Sequence, residues 1–125
     1  MLEMRPVYTA YEREEYTAPF GFAPEDEDII VCARYPDRFV GMACVRADGE
    51  NGEIRRFSLI EGYEDDTDLF LLGKAMLNVL DLRGVKTVVY DAPENEAMAK
   101  RLGFKEAEDG ALTLSLEGYF TGHHA

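Results

Sequence analysis

The chain has 125 residues, 46% of them hydrophobic, which is enough for one domain with its own core and no covalent staples. Its 25 acidic against 13 basic side chains give a net charge of −12, which opposes nucleic acid backbones and anionic membrane surfaces as partners. The longest apolar runs, residues 69–72 and 29–33, are far too short to span a bilayer, and the first ten residues lack the apolar stretch of a secretion signal, so the cytoplasm is the expected compartment.

Residues 1–27 are the least regular part, with tyrosines, prolines and the acidic run at 24–28 breaking any period. Residues 28–34 and 38–47 are β-branched and aromatic-rich runs separated by Tyr35-Pro36-Asp37, the pattern of a hairpin. A turn at Pro36-Asp37 that pairs Arg34 with Phe39 puts Cys32 opposite Gly41 and Cys44 opposite Ile29. Alternation then sends the two sulfurs to opposite faces. With no CxxC spacing and no histidine near them, both cysteines read as small core residues.

Turn residues 48–52 lead into a third strand over 52–60. The period then changes: Leu69, Leu72, Met76, Val79, Leu80 and Leu82 predict a helix over 68–83, with Asp66 or Thr67 as N-cap and Gly84 as the stop. Residues 85–92 are short and apolar, the pattern of a strand buried on both faces. Pro93 opens a short helix over 94–102 that Gly103 ends, and Asp109-Gly110 turns a closing hairpin between 104–108 and 111–120. With no repeat or linker, residues 1–125 read as a single domain. The order predicts an α/β (α+β) fold with a mixed, mostly antiparallel central sheet flanked by helices and one parallel crossover around the main helix.

The loop before that helix, Glu61–Asp68, stands where a phosphate is usually held, yet it is crowded with carboxylates. Acidic residues in a first helical turn stabilise the macrodipole and cap free N–H groups. A calcium reading lacks the EF-hand ligand spacing and turn glycine, and no zinc spacing is present, so no metal site is expected. Arg55 and Arg56 form an adjacent basic pair, one expected on each face of the third strand. They suit either an anion or, more simply, acidic cross-strand neighbours. His123 and His124 read as a frayed tail.

Residues Phe39–Tyr63 and Arg101–Leu116, in this order and separation, resemble the strand-turn-strand and the "LGF" hairpin of the GNAT superfamily of acyl-CoA N-acyltransferases, a likeness that spans roughly residues 28–118. The resemblance implies acetyl-CoA as cofactor. Its pantetheine arm would bond to backbone near Phe57 and Leu59, with Asn95 touching the arm. Its pyrophosphate would lie on the family's Q/R-x-x-G-x-G/A loop, where this chain has Glu64, Thr67 and Leu69. Sliding the motif to end at Gly73 puts Asp68 and Leu71 at the other sites, so neither alignment restores it. A carboxylate about 6 Å from a pyrophosphate charge costs about 0.7 kcal/mol in water and about 3 kcal/mol at an effective dielectric of 20.

The resemblance further implies Glu53 as the catalytic base. It leaves Ala99 where many members have the tyrosine acid, with Tyr90 and Tyr119 as substitutes only if the fold brings them to the cleft. The two helices that shape the acceptor site are reduced to about twenty residues, enough for one short helix, which makes a homodimer a reasonable expectation. Two functions follow. One is an acyl-CoA-dependent N-acetyltransferase, acting on an unidentified amine, with an eroded coenzyme loop. The alternative is a non-catalytic GNAT-fold binding or interaction module that does not use acetyl-CoA.

Overall fold

The computed structural model of the protein describes residues 1–120, so His123 and His124 lie outside the described residues. The elements are β1 (Glu3–Val7), α1 (Ala10–Thr17), β2 (Ile29–Tyr35), β3 (Arg38–Asp48), β4 (Asn51–Leu59), α2 (Asp66–Leu82), β5 (Thr87–Tyr90), α3 (Glu96–Leu102), β6 (Lys105–Glu106) and β7 (Leu112–Ser115). The strands form one seven-stranded sheet in the order β1-β2-β3-β4-β5-β7-β6. Only β4 and β5 run parallel, joined by the crossover through α2. This is the mixed, mostly antiparallel α/β architecture that the period changes predict.

The strand β1 is absent from that expectation because Pro6 interrupts its pattern. At a sheet edge a proline is tolerated, since its missing N–H can face away from the ladder. Among the described residues β1 pairs only with β2, from Glu3↔Arg34 to Val7↔Ile30. One helix then follows, capped by the Thr9 hydroxyl accepting from Glu12 N–H at 3.1 Å.

Two apolar layers flank the sheet. The larger joins Leu69, Leu72, Met76, Leu77 and Leu80 of α2 and Met98 and Leu102 of α3 to Ile54, Phe57, Val88 and Tyr90. The smaller, under α1, joins Tyr16 to Val7, Ile30, Cys32, Met42 and Cys44. Leu82, expected on the buried stripe, is the last residue of α2 and is 78% exposed.

Two β-bulges change the expected side-chain directions. Arg34 does pair with Phe39, but β3 then skips Val40, so Ala33 faces Gly41, Cys32 faces Met42 and Cys44 faces Ile30. One extra residue flips the faces. Cys32 and Cys44 therefore lie on the same α1 face, not on opposite ones, and both are buried free thiols.

The second bulge places Ile54 against Val45 but Arg56 against Cys44, leaving Arg55 as the extra residue of β4. Ile54 and Phe57 both reach the α2 layer, so Arg55 and Arg56 share the opposite face rather than taking one each. There Arg55 Nη1 meets the buried Asp28 at 2.9 Å, Arg46 Nε meets the same carboxylate at 2.7 Å, and Arg56 lies over the Phe22 ring. The last β4–β5 pair, Ile54↔Tyr90, falls just before this bulge. A bulge bends the strand that carries it, and beyond this one β4 has no ladder partner in β5, which ends at Tyr90.

Candidate functional site

The parting of β4 and β5 is the feature around which a site can form. After Ile54↔Tyr90 a single further bond, Asp91 N–H to Ile54 C=O at 2.8 Å, holds the strands together. Residues 91–95 then fold into the opening. Glu94 Oε2 accepts from the Phe57 N–H at 2.9 Å, and Asn95 Nδ2 donates to the Phe57 C=O at 2.7 Å. Arg56 Nε lies 3.4 Å from the same Glu94 oxygen, and the Tyr90 hydroxyl donates to the Glu94 carbonyl. Together the two side chains present one acceptor and one donor to Phe57, as a neighbouring strand would.

Asn95 adopts φ 61°, alone among the described non-glycine residues in being left-handed, a conformation asparagine accepts more readily than most residues. This left-handed residue stands directly before α3, so the helix begins only at Glu96 and Pro93 stays in the loop instead of opening the helix as expected.

Beyond the plug, Leu59, Leu69 and Asn95 line a cleft of about 390 Å³ together with Glu61, Glu64, Asp65 and Asp66. Thr67 is exposed on the first turn of α2 and is not part of that lining. The carboxylates of the acidic loop are divided among different tasks. Asp65, rather than Asp66 or Thr67, is the N-cap, its Oδ1 accepting from Asp68 N–H at 2.9 Å. Asp66 reaches toward Arg101 at 3.9 Å on the surface.

Asp68 is buried and bonded to two tyrosines, accepting from Tyr35 at 2.9 Å and from Tyr63 at 2.5 Å. The Arg38 guanidinium lies over both rings, 5.5 and 5.1 Å from their centres. The hydrogen bond to Asp68, with burial second, raises both phenols above the ordinary tyrosine value, Tyr63 the more strongly. This cluster ties the start of α2 to the β2–β3 hairpin.

Coenzyme A does not fit the residues present. The Phe57 amide and carbonyl already have partners, the Asp68 N–H of the first helical turn is bonded by Asp65, and four carboxylates line the cleft where phosphates would enter. Gly73, the remaining glycine of the slid motif, packs between helices: a Cβ there would stand 2.4 Å from Leu102 Cδ1. Ala99 is buried in the core, and the substitute tyrosines are committed elsewhere. Burial raises the Tyr90 phenol, and Tyr119 donates to the Leu102 carbonyl at 2.6 Å.

Glu53 sits before the bulge, opposite Arg46 and Val89, in a separate depression with Asp48 and Asn51. Burial, and then the neighbouring Asp91 carboxyl, raises it above the ordinary carboxylate value. Leu59 lies six positions further along β4, about 20 Å of strand at ~3.3 Å per residue. A ligand running from the cleft along β4 toward Glu53 would have to displace Glu94 and Asn95.

Glu94 and Asp28, which organise the two polar clusters, carry no local signal in the sequence. Glu94 meets Phe57, 37 positions away, and Asp28 meets Arg46 and Arg55, 18 and 27 positions away. Among the described residues no three His, Cys, Asp or Glu side chains converge as a metal site, and no helix is long and apolar enough to cross a membrane.

No family model matches the chain, and no curated protein does. Solved structures do. The ribosomal-protein-S18-alanine N-acetyltransferase of Escherichia coli superposes with a TM-score of 0.65 at 17% identity, covering 90% of this chain and 91% of that one. A GNAT family acetyltransferase from Elizabethkingia anophelis, with acetyl-CoA bound, gives 0.65 at 14% over 92% and 98%. A GNAT family N-acetyltransferase of Escherichia coli in complex with CoA gives 0.67 at 14% over 97% and 85%. At these identities the likeness is one of architecture, and the chain has the fold of the GNAT superfamily.

Proposed function

We propose that this chain is a non-catalytic GNAT-fold binding module that does not use acetyl-CoA. The observation that carries this reading is the double engagement of Phe57 by Glu94 and Asn95, which fills the gap between β4 and β5 with the chain's own side chains. The cleft that remains is lined by four carboxylates, so its field favours cations over phosphates. Calorimetric titration with acetyl-CoA, at low and moderate salt, tests it. No binding at about millimolar coenzyme is expected, and a dissociation constant in the micromolar range would overturn the reading.

A second reading, an acyl-CoA-dependent N-acetyltransferase, is favoured by two observations. Structural neighbours hold CoA or acetyl-CoA, and Glu53 is a β4 carboxyl raised toward the range of a general base. It requires residues 91–95 to leave the gap, and the same titration decides between the two.

A further inference from the structure

We propose that β1 is a dimerisation strand, pairing antiparallel with β1 of a second copy of this chain across a twofold axis. Among the described residues nothing pairs with its outer edge, and the opposite end of the sheet is closed by β6, only two residues long. A five-residue edge is a ready template for another strand. An isologous β1–β1 contact is thus the pairing the two edges allow.

Charge selects the register. Residues directly opposite in an antiparallel pair share a face, so the twofold must pass through a residue. Centred on Glu3, it sets two glutamates against each other; centred on Arg5, it sets two arginines together. Centred on Met4, it places Glu3 opposite the partner's Arg5 and Arg5 opposite the partner's Glu3. Only this register pairs opposite charges. Pro6 then faces Leu2 of the partner subunit at the ladder's end, where its missing N–H removes only terminal bonds.

The surroundings fit the same partner. Beside β1 a groove of about 220 Å³ runs between the strand and α2, walled by Met4, Pro6, Val79 and Leu82. Tyr8 and Leu82, which line it, are 68% and 78% exposed. In a chain of net charge −12 no carboxylate lines this groove, and the only charged residues along it are Arg5, whose side chain turns to Glu12 on the other face, and Arg83. Repulsion between copies is therefore least at this edge. The Arg5 side chain, although bonded to Glu12 at 2.9 Å, remains 41% exposed and can donate to a second carboxylate.

Sedimentation equilibrium of the whole chain, from about 1 to 100 µM, tests the proposal. A dimer is expected. Glu3→Arg, at an exposed position, and Arg5→Glu each place like charges opposite one another and should raise the dissociation constant by at least about tenfold. The double swap Glu3→Arg with Arg5→Glu restores both cross-pairs while leaving Glu12 without its arginine, so recovery of the dimer reports on the interface and not on that internal pair. Circular dichroism establishes that each variant is folded. A wild-type chain that stays monomeric throughout, or a folded double swap no tighter than the single variants, would overturn the proposal; a monomer would leave the groove to a different partner.

Discussion

The Glu94 carboxylate stands 2.9 Å from the Phe57 amide nitrogen, joining residues 37 positions apart across the line where two parallel strands separate. In the same place Asn95 satisfies the Phe57 carbonyl. The chain thus supplies from side chains what a third strand would supply from backbone.

Removing that supply should cost stability in a graded way. Glu94→Ala leaves the buried Phe57 N–H without a partner and should destabilise by about 1–3 kcal/mol. Asn95→Ala loses the carbonyl bond and also carries the left-handed strain of a Cβ, whereas Asn95→Gly loses only the bond. Urea denaturation should therefore rank Asn95→Ala below Asn95→Gly by roughly 1–2 kcal/mol. Equal stabilities would mean that the strained loop geometry is not what the protein adopts in solution.

Tyrosine titration should reveal a set of late-ionising phenols. Of the seven tyrosines, Tyr35, Tyr63 and Tyr90 are raised. A group raised in the folded state contributes stability fully below its unfolded value, about 10 for tyrosine, and loses that contribution as pH rises through the folded value. Absorbance near alkaline pH should show late ionisation for three phenols, accompanied by loss of structure. Asp68→Asn removes the negative charge beside Tyr35 and Tyr63, so their ionisation should move down while that of Tyr90 stays in place.

The two polar clusters of β4 should answer pH with opposite signs. Glu53 is raised, so its favourable contribution exists below an unfolded value near 4.3 and disappears as pH rises through its folded value. At neutral pH Glu53→Gln should therefore stabilise, by a few tenths to about 1 kcal/mol. For Asp28, burial pushes upward, but the bonds from Glu25 N–H, Arg46 and Arg55 outweigh it and lower the value. Its contribution is present above about pH 4 and lost as pH falls through the folded value, so Asp28→Asn should cost about 2–4 kcal/mol at neutral pH and little in acid. Thermal melts of both variants between acid and neutral pH measure the two slopes.

The thiols should be silent until the chain unfolds. Burial holds Cys32 above its ordinary value and pushes Cys44 up to about 12, which leaves roughly one Cys44 in ten thousand ionised at pH 8. Native protein should react with Ellman's reagent far more slowly than protein in denaturant, which should release two thiols. Rapid native labelling of either would show that the layer under α1 opens freely.

What could be read from the sequence was what local chemistry determines. The hairpin turn at Pro36-Asp37, the apolar face of α2 and the Asp109-Gly110 turn each announce themselves within a few residues. β1 did not, because one proline at a sheet edge looks like the end of a pattern. The bulges at Val40 and Arg55 leave no mark either: an inserted residue in a run of apolar or basic side chains still looks like a strand, yet it reverses the face of everything beyond it. The crowding of carboxylates before α2 was legible. That Asp68 turns inward to Tyr35 was not, since a tyrosine 33 positions away sends no signal along the chain.

Arg55 makes a last point about tolerance to insertion and deletion. If that residue were excised, Ile54 and Phe57 would fall on the same side of a regular strand and Arg56 between them on the other, so every apolar group of β4 would keep its place. What would vanish is the bend that a bulge imposes, together with the bonds from Arg55 to the buried Asp28 carboxylate. The apolar core is indifferent to this one residue, whereas the opening that Glu94 and Asn95 fill and the Asp28 cluster both depend on it.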